Sequence, residues 1–234
     1  MKFKRILAAF LSVLCLASCE EFLTEDPTTS LSEGTVYSDE ANLEAGVIGV
    51  YWSLKTSNYS WTTQMSEFCS FPSILIHWKD NRTAENYIQS LRLSMFPHSA
   101  ENQGLYDYLY ASIYKCNKMI EAMIDSPVDQ TYKNEIEGEV KFIRAWQYFA
   151  AVRFWGDIPL IVNTPKNIDE TDAPRVHYME VYKQILSDLE YAEQNMRTPE
   201  RVAEVGGMTG RPNRWAATAL KASVYMQIAC LIEN

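Results

Sequence analysis

Apolar positions recur at steps of three and four along most of the second half of the chain. Tyr106, Leu109, Ile113, Cys116, Ile120 and Met123 make one stripe, which Pro127 ends. The stretch 136–154 carries two stripes: Ile136, Val140, Ile143, Ala150 and Phe154 on one side, Phe142, Ala145, Phe149 and Val152 on another. A helix apolar on two sides is packed between neighbours, as in a stacked helical array. Gly156 and then Pro159 bring it to a sharp end. Tyr178, Tyr182, Ile185, Leu189, Ala192 and Met196 predict a further helix, closed by Pro199. The last pattern runs from about Asn213 to the end, where Ala216, Ala219 and Ser223, flanked by Ala217 and Ala222, permit close helix–helix approach. Earlier, Ser38 is the expected N-cap of a helix over 39–54, with Asp39 and Glu40 favouring the dipole in its first turn. Arg144-Ala145 with Tyr148 is echoed by Lys221-Ala222 with Tyr225, as expected of two helix pairs separated by long insertions. The pattern predicts an all-α fold, a helical repeat scaffold. Its last helix runs into Asn234 without a cap, so the chain reads as truncated, the front half of something longer.

The amino terminus breaks this pattern. Lys2, Lys4 and Arg5 precede an apolar run over 6–16, too short for a bilayer span and suited to a signal peptide. The run ends in Leu16-Ala17-Ser18-Cys19, which reads as a bacterial lipobox. Small residues permit cleavage after Ser18, and only a thiol at the next position can take a diacylglycerol thioether. Residues 1–18 are therefore expected to be a lipoprotein signal peptide, Cys19 the lipidated residue, 19–37 an anchored tether and 38–234 the helical domain. Several acyl chains hold a protein at a membrane durably where one holds it only marginally. Residues 55–104, rich in Ser, Asn and aromatics, with Pro72 and Pro97 as breakers, read as loops around short helices.

Composition narrows the chemistry. The 234 residues are 47% hydrophobic and 22% charged, a globular balance. The formal net charge of −9 argues against nucleic acid as a partner, and loss of Lys2, Lys4 and Arg5 with the signal makes the mature chain more acidic still. Beyond Cys15 and Cys19, the chain has Cys69, Cys116 and Cys230. Three is odd and the spacings are long, so no disulfide framework or zinc site is indicated. Cys116 and Cys230 lie in helical patterns and are expected to be small core residues. His77, His98 and His177 have no ligand spacing, so no metal is expected. Gly206-Gly207-Met208-Thr209-Gly210 lacks the Lys-Ser/Thr of a phosphate cradle. Glu135 and Glu137 read as a polar helix face. No catalytic residue and no cofactor is expected. Trp146, Trp155 and Trp215 are expected to pack in the core or between repeats. Arg144, inside a buried helix, needs a carboxylate, and Asp188 or Glu139 is the expected partner.

Several blocks together resemble the SusD/RagB family of nutrient-binding outer-membrane lipoproteins. They include Cys19-Glu20-Glu21-Phe22-Leu23 with Pro27, then Val36-Tyr37-Ser38-Asp39-Glu40, and Asn117 with Ile120 in the 114–120 helix. The most specific is EVKFIRAWQYFAAVRFWGDIPL over 139–160; Gly210-Arg211 before Ala216-Ala217 follows it. The resemblance covers the mature chain in order, at about half the usual family length. It implies a tetratricopeptide-like helical scaffold with an irregular, loop-rich ligand-binding region. It further implies a surface-exposed, lipid-anchored location and a SusC-like TonB-dependent transporter as partner. The implied ligand is a glycan, or for some members a peptide.

Glycan capture needs flat aromatic faces beside amide, carboxylate and guanidinium groups. Trp78 with Asp80, Asn81 and Arg82 places one ring beside three such groups, and Trp61 and Tyr87 are further candidates. The competing expectation is a helical-repeat outer-membrane lipoprotein that serves as a scaffold for protein assembly.

Overall fold

The computed structural model describes residues 37–54, 100–167, 170, 172–204 and 210–232. Cys19, Trp61, Trp78, Asp80, Asn81, Arg82 and Tyr87 lie outside the described residues, as do the expected signal peptide and tether.

Six helices and one small strand pair make up the described part. Helix α1 (Glu40–Ser53) is capped by Asp39, whose Oδ1 accepts from Asn42 N at 2.8 Å. Ser38, the expected cap, stands one residue too early. Helix α2 spans Ala100–Ala122. Helix α3 (Gln130–Trp155) starts at Asp129, which accepts from Thr131 N and Tyr132 N at 2.8 and 3.2 Å. It ends at Gly156, whose φ of 65° suits a residue without Cβ. Strands β1 (Ile158–Pro159) and β2 (Arg175–Val176) pair antiparallel, Ile158 opposite Val176. Helix α4 spans Tyr178–Asn195. Pro199, expected as a stop, opens the short helix α5 (Pro199–Glu204). At a first helical position proline loses no hydrogen bond, and α4 has already ended at Asn195, capped by Met196. Helix α6 spans Arg214–Ile232.

Helix α3 is the centre, packed against α1, α2 and α4, with α6 laid on α4. Ile136, Val140 and Ile143 meet Leu43 and Val47 of α1 and Cys116 and Met119 of α2 in one buried cluster. Tyr148, Phe149 and Val152 join Leu109 and Ile113 of α2, Ile185 and Leu189 of α4, and Val224 of α6 in the other. The two-sided pattern of α3 is thus filled on both sides. At Gly138 a Cβ would lie 3.1 Å from Met196 N, so the absence of a side chain lets the end of α4 approach α3.

Two expectations fail on α6. Trp215 is 62% exposed and Cys230 is exposed, because α6 turns Ala217 and Val224 inward instead. Cys116 is fully buried as expected, and burial pushes its thiol up to about 12.

Candidate functional site

The backbone that follows α3 is held by side chains from three helices. Arg144 Nε and Nη2 donate to Asp188 Oδ2 and Oδ1 at 2.8 and 2.7 Å, a bidentate pair. Of the two expected partners, Asp188 is the one used. Arg144 Nη1 donates to Asn117 Oδ1 at 2.8 Å and to the Val162 carbonyl at 3.1 Å. Asn117 Nδ2 in turn donates to the Ile161 carbonyl at 2.8 Å. The Tyr148 hydroxyl donates to that same carbonyl at 2.7 Å and accepts from Ile161 N at 2.8 Å. Tyr110 fixes the Pro159 carbonyl at 2.7 Å, and Glu121 Oε1 accepts from Thr164 N at 2.6 Å. Burial works against the Arg144 charge, but the Asp188 carboxylate outweighs it and holds the guanidinium above its usual pKa. Arg144 and Tyr148, four apart on one helix face, clamp Ile161 and Val162.

A second charged network joins parts of the chain far apart in sequence. Arg211 donates through Nε to Glu139 Oε1 at 2.8 Å, through Nη2 to Glu139 Oε2, and through Nη1 to Glu44 Oε2. The Tyr51 hydroxyl also donates to Glu139. Glu44 Oε1 accepts from the Tyr132 hydroxyl at 2.8 Å and lies 2.7 Å from Arg197 Nη1. Arg197 and Arg201 reach Glu135 through their Nε atoms at 2.8 and 3.0 Å. Burial pushes the Glu44 carboxyl up, but hydrogen bonds from Arg211, Tyr132 and Arg197 more than offset it, leaving the group below its ordinary value. Burial and the Glu44 carboxylate push Tyr132 up to about 12. Glu135 is not on a solvated face as expected: its side chain is 11% exposed and bridges two arginines. This network was missed in the sequence, although Glu139 set between Gly138 and Val140 inside an apolar stripe was the signal.

These networks fix what flanks the candidate binding segment. Residues 55–99, which contain Trp61, Trp78, Asp80, Asn81, Arg82 and Tyr87, run from the end of α1 to the start of α2. Ser53 at the end of α1 donates to the Val50 carbonyl and sits 3.2 Å from Ser112 Oγ of α2, both buried. The two helices that launch and receive the segment are therefore pinned to each other. All of these expected binding residues lie outside the described residues.

A SusD-like family model, described as starch-binding and associating with the outer membrane, matches residues 21–226. The chain belongs to the SusD-like family. SusD-like protein P25 of Formosa agariphila is 28% identical over 97% of this chain and 44% of its own length. A SusD-like protein of Bacteroides ovatus is 25% identical over 97% of this chain and 39% of its own. The chain thus spans less than half the length of these curated relatives, matching an N-terminal half. Among solved structures, a SusD superfamily protein from Bacteroides vulgatus superposes with a TM-score of 0.69 at 17% identity, over 82% of this chain and 40% of that one. A laminarin-binding SusD-like protein superposes with a TM-score of 0.68 at 21% identity, over 81% of this chain and 40% of that one. At those identities the likeness is one of helical fold.

Proposed function

We propose that this SusD-like chain is the N-terminal half of a lipid-anchored outer-membrane protein. In this reading the protein captures a glycan at the cell surface and passes it to a SusC-like TonB-dependent transporter, with no catalysis. The observation that carries the reading is the family match over 21–226, whose description joins starch binding to the outer membrane. The laminarin-binding protein of the same fold supports a glycan as the ligand class. Helices α1 and α2, pinned at Ser53 and Ser112, offer a rigid base for the 55–99 segment. Trp78 would supply the stacking face, with Trp61 and Tyr87 as further rings, and Asp80, Asn81 and Arg82 the groups for sugar hydroxyls. Cys19 would carry the lipid that keeps this base at the membrane.

Affinity electrophoresis of the mature chain through gels cast with laminarin, starch and other polysaccharides tests the reading. Retardation by at least one glycan, weakened about tenfold by Trp78→Ala, is expected; a tenfold loss corresponds to about 1.4 kcal/mol. Migration unchanged by every glycan, together with co-purification of outer-membrane assembly proteins, would favour the scaffold role instead. Incorporation of radiolabelled palmitate, abolished by Cys19→Ala, checks the anchor.

A further inference from the structure

A cleft of about 370 Å³ opens between the end of α3, the start of α4 and the last turns of α6, lined by Arg153, Gly156, Tyr178, Tyr182, Gln227 and Leu231. Sites for small ligands run from ~300 to ~1,000 Å³, with mostly apolar walls and a few placed polar groups. This cleft has that make-up: two tyrosine rings and Leu231 as walls, with the exposed Arg153 and the half-buried Gln227 as polar groups. Neither of the two charged networks uses any of these side chains. At Gly156 nothing lies within 4 Å of where a Cβ would stand, so the rim is open there.

The lining groups are held in place by the protein itself. The Arg153 guanidinium sits over the Phe149 ring at 5.0 Å, a cation–π contact that orients a long side chain while leaving it exposed. The buried Tyr182 ring stands edge-on to those of Phe149 and Tyr178, at 66° and 88°. Burial pushes the Tyr182 phenol up, and the positive charge of Arg153 works against that, as a guanidinium close to it must. Tyr178 is stacked by His177 at 4.3 Å between centroids, and its backbone N–H donates to Asp157 Oδ1 at 2.9 Å. A ring set beside a guanidinium and an amide is the combination that sugars need, since their C–H faces pack on aromatics while their hydroxyls want donors and acceptors. Groups positioned in advance lose little entropy when a ligand arrives.

We propose that this cleft is a second sugar subsite, which takes one or two pyranose units of a polysaccharide with Tyr178 against their C–H face and Arg153 and Gln227 on their hydroxyls. The proposal rests on the reading of the protein as a glycan binder and adds a place of contact apart from Trp78. Its position fits that use. Residue 99 leads straight into α2 at Ala100, and near the start of α2 the Tyr106 ring packs edge-on against Trp155 at 5.3 Å. Trp155 adjoins Gly156, so the cleft and the point where the 55–99 segment re-enters the helices share one end of α3. A polymer engaged at two places on one chain gains from the effective concentration of the second contact, which a single sugar unit cannot do.

The test combines affinity electrophoresis of the mature chain in laminarin and starch gels with amide hydrogen exchange in the presence and absence of each polysaccharide. Arg153→Ala combined with Gln227→Ala is expected to weaken retardation at least threefold, with helix content by circular dichroism unchanged. Tyr178→Ala should weaken it by a similar factor. In the unsubstituted chain the retarding polysaccharide should slow exchange in peptides covering 152–157 and 177–182, a readout that needs no variant to fold. Retardation that Trp78→Ala weakens but the cleft variants leave unchanged would overturn the subsite and leave glycan capture standing. Exchange slowed only outside those peptides would overturn it as well. Loss of retardation in the cleft variants with none in Trp78→Ala would support the subsite and move capture away from Trp78. Neither retardation nor slowed exchange with either polysaccharide would overturn subsite and capture together.

Discussion

Two charged networks flank α3, built from the same residue types and doing different jobs. Around Arg144 there is a single pair, dry on both sides, with side chains 5% and 2% exposed. Its spare donors go to Asn117 and to the Val162 carbonyl, so the pair sets the path of the backbone after the helix. Around Arg211 there are three acids and three arginines, with Glu44 and Arg201 25% and 42% exposed. Each member touches more than one partner or water, and the network staples α1, α3, the end of α4 and the approach to α6. The contrast teaches that burial decides whether a pair is indispensable. In the dry pair Asp188 keeps only the neutral Gln184 amide when Arg144 is lost, whereas Glu44 in the shared, wetter network keeps a second arginine.

The largest effect expected is that of Arg144→Ala. Removing one partner leaves Asp188 charged and buried, and costs about 3–5 kcal/mol in urea unfolding. Arg144→Met combined with Asp188→Leu recovers much of that loss, because neither charge then remains unpaired. A single substitution costing less than about 1 kcal/mol would break the comparison, since it would mean water reaches the pair. Arg211→Ala comes second, at about 2 kcal/mol, because Glu44 keeps Arg197 and Tyr132 while Glu139 keeps only Tyr51.

The third effect is one of pH. Glu44 titrates lower in the folded chain than in the unfolded one. Its contribution is therefore fully present above the unfolded carboxyl value, near pH 4.5, and is lost as pH falls through the lower folded value. Glu44→Gln should flatten the acid limb of a stability–pH curve below pH 5 and leave the neutral region destabilised. An acid limb of unchanged steepness would mean that other carboxylates carry it.

The helices were legible because their stripes are long and their stops are explicit, as at Pro127 and Gly156. The pairing of Arg144 with Asp188 was half legible, since a charge inside an apolar stripe needs a carboxylate but spacing along one helix cannot choose between two. The Arg211 network was not legible at all: Glu44, Glu139 and Arg211 are brought together only by the packing of α1 on α3 and by the course of the chain after α5. Trp215 misled because a tryptophan in a helical pattern argues for burial against a neighbour, and on α6 no described residue provides one. For the residues proposed to bind near Trp78, side-chain types indicate a chemistry, while no periodicity encodes which of them meet in space.

The smallest effect concerns Lys221, whose sequence setting echoes that of Arg144. In α3 the echoing pair, Arg144 and Tyr148, is buried and clamps Ile161 and Val162. In α6 Lys221 instead reaches Glu193 of α4, with side chains 24% and 31% exposed, and Tyr225 is 55% exposed. The two copies share a helical register but not a buried partner strand of backbone, so the repetition in sequence did not carry the repetition in energy. Glu193 nonetheless raises the Lys221 pKa, chiefly through their hydrogen bond. With water on both partners, Lys221→Met should cost about 0.5 kcal/mol, and raising ionic strength toward 1 M should erase the difference. The Arg144→Ala cost should hardly move under the same salt, because a dry pair is not screened. Equal salt sensitivity of the two variants would show that solvent reaches Arg144 as freely as Lys221, and that burial is not what separates the networks.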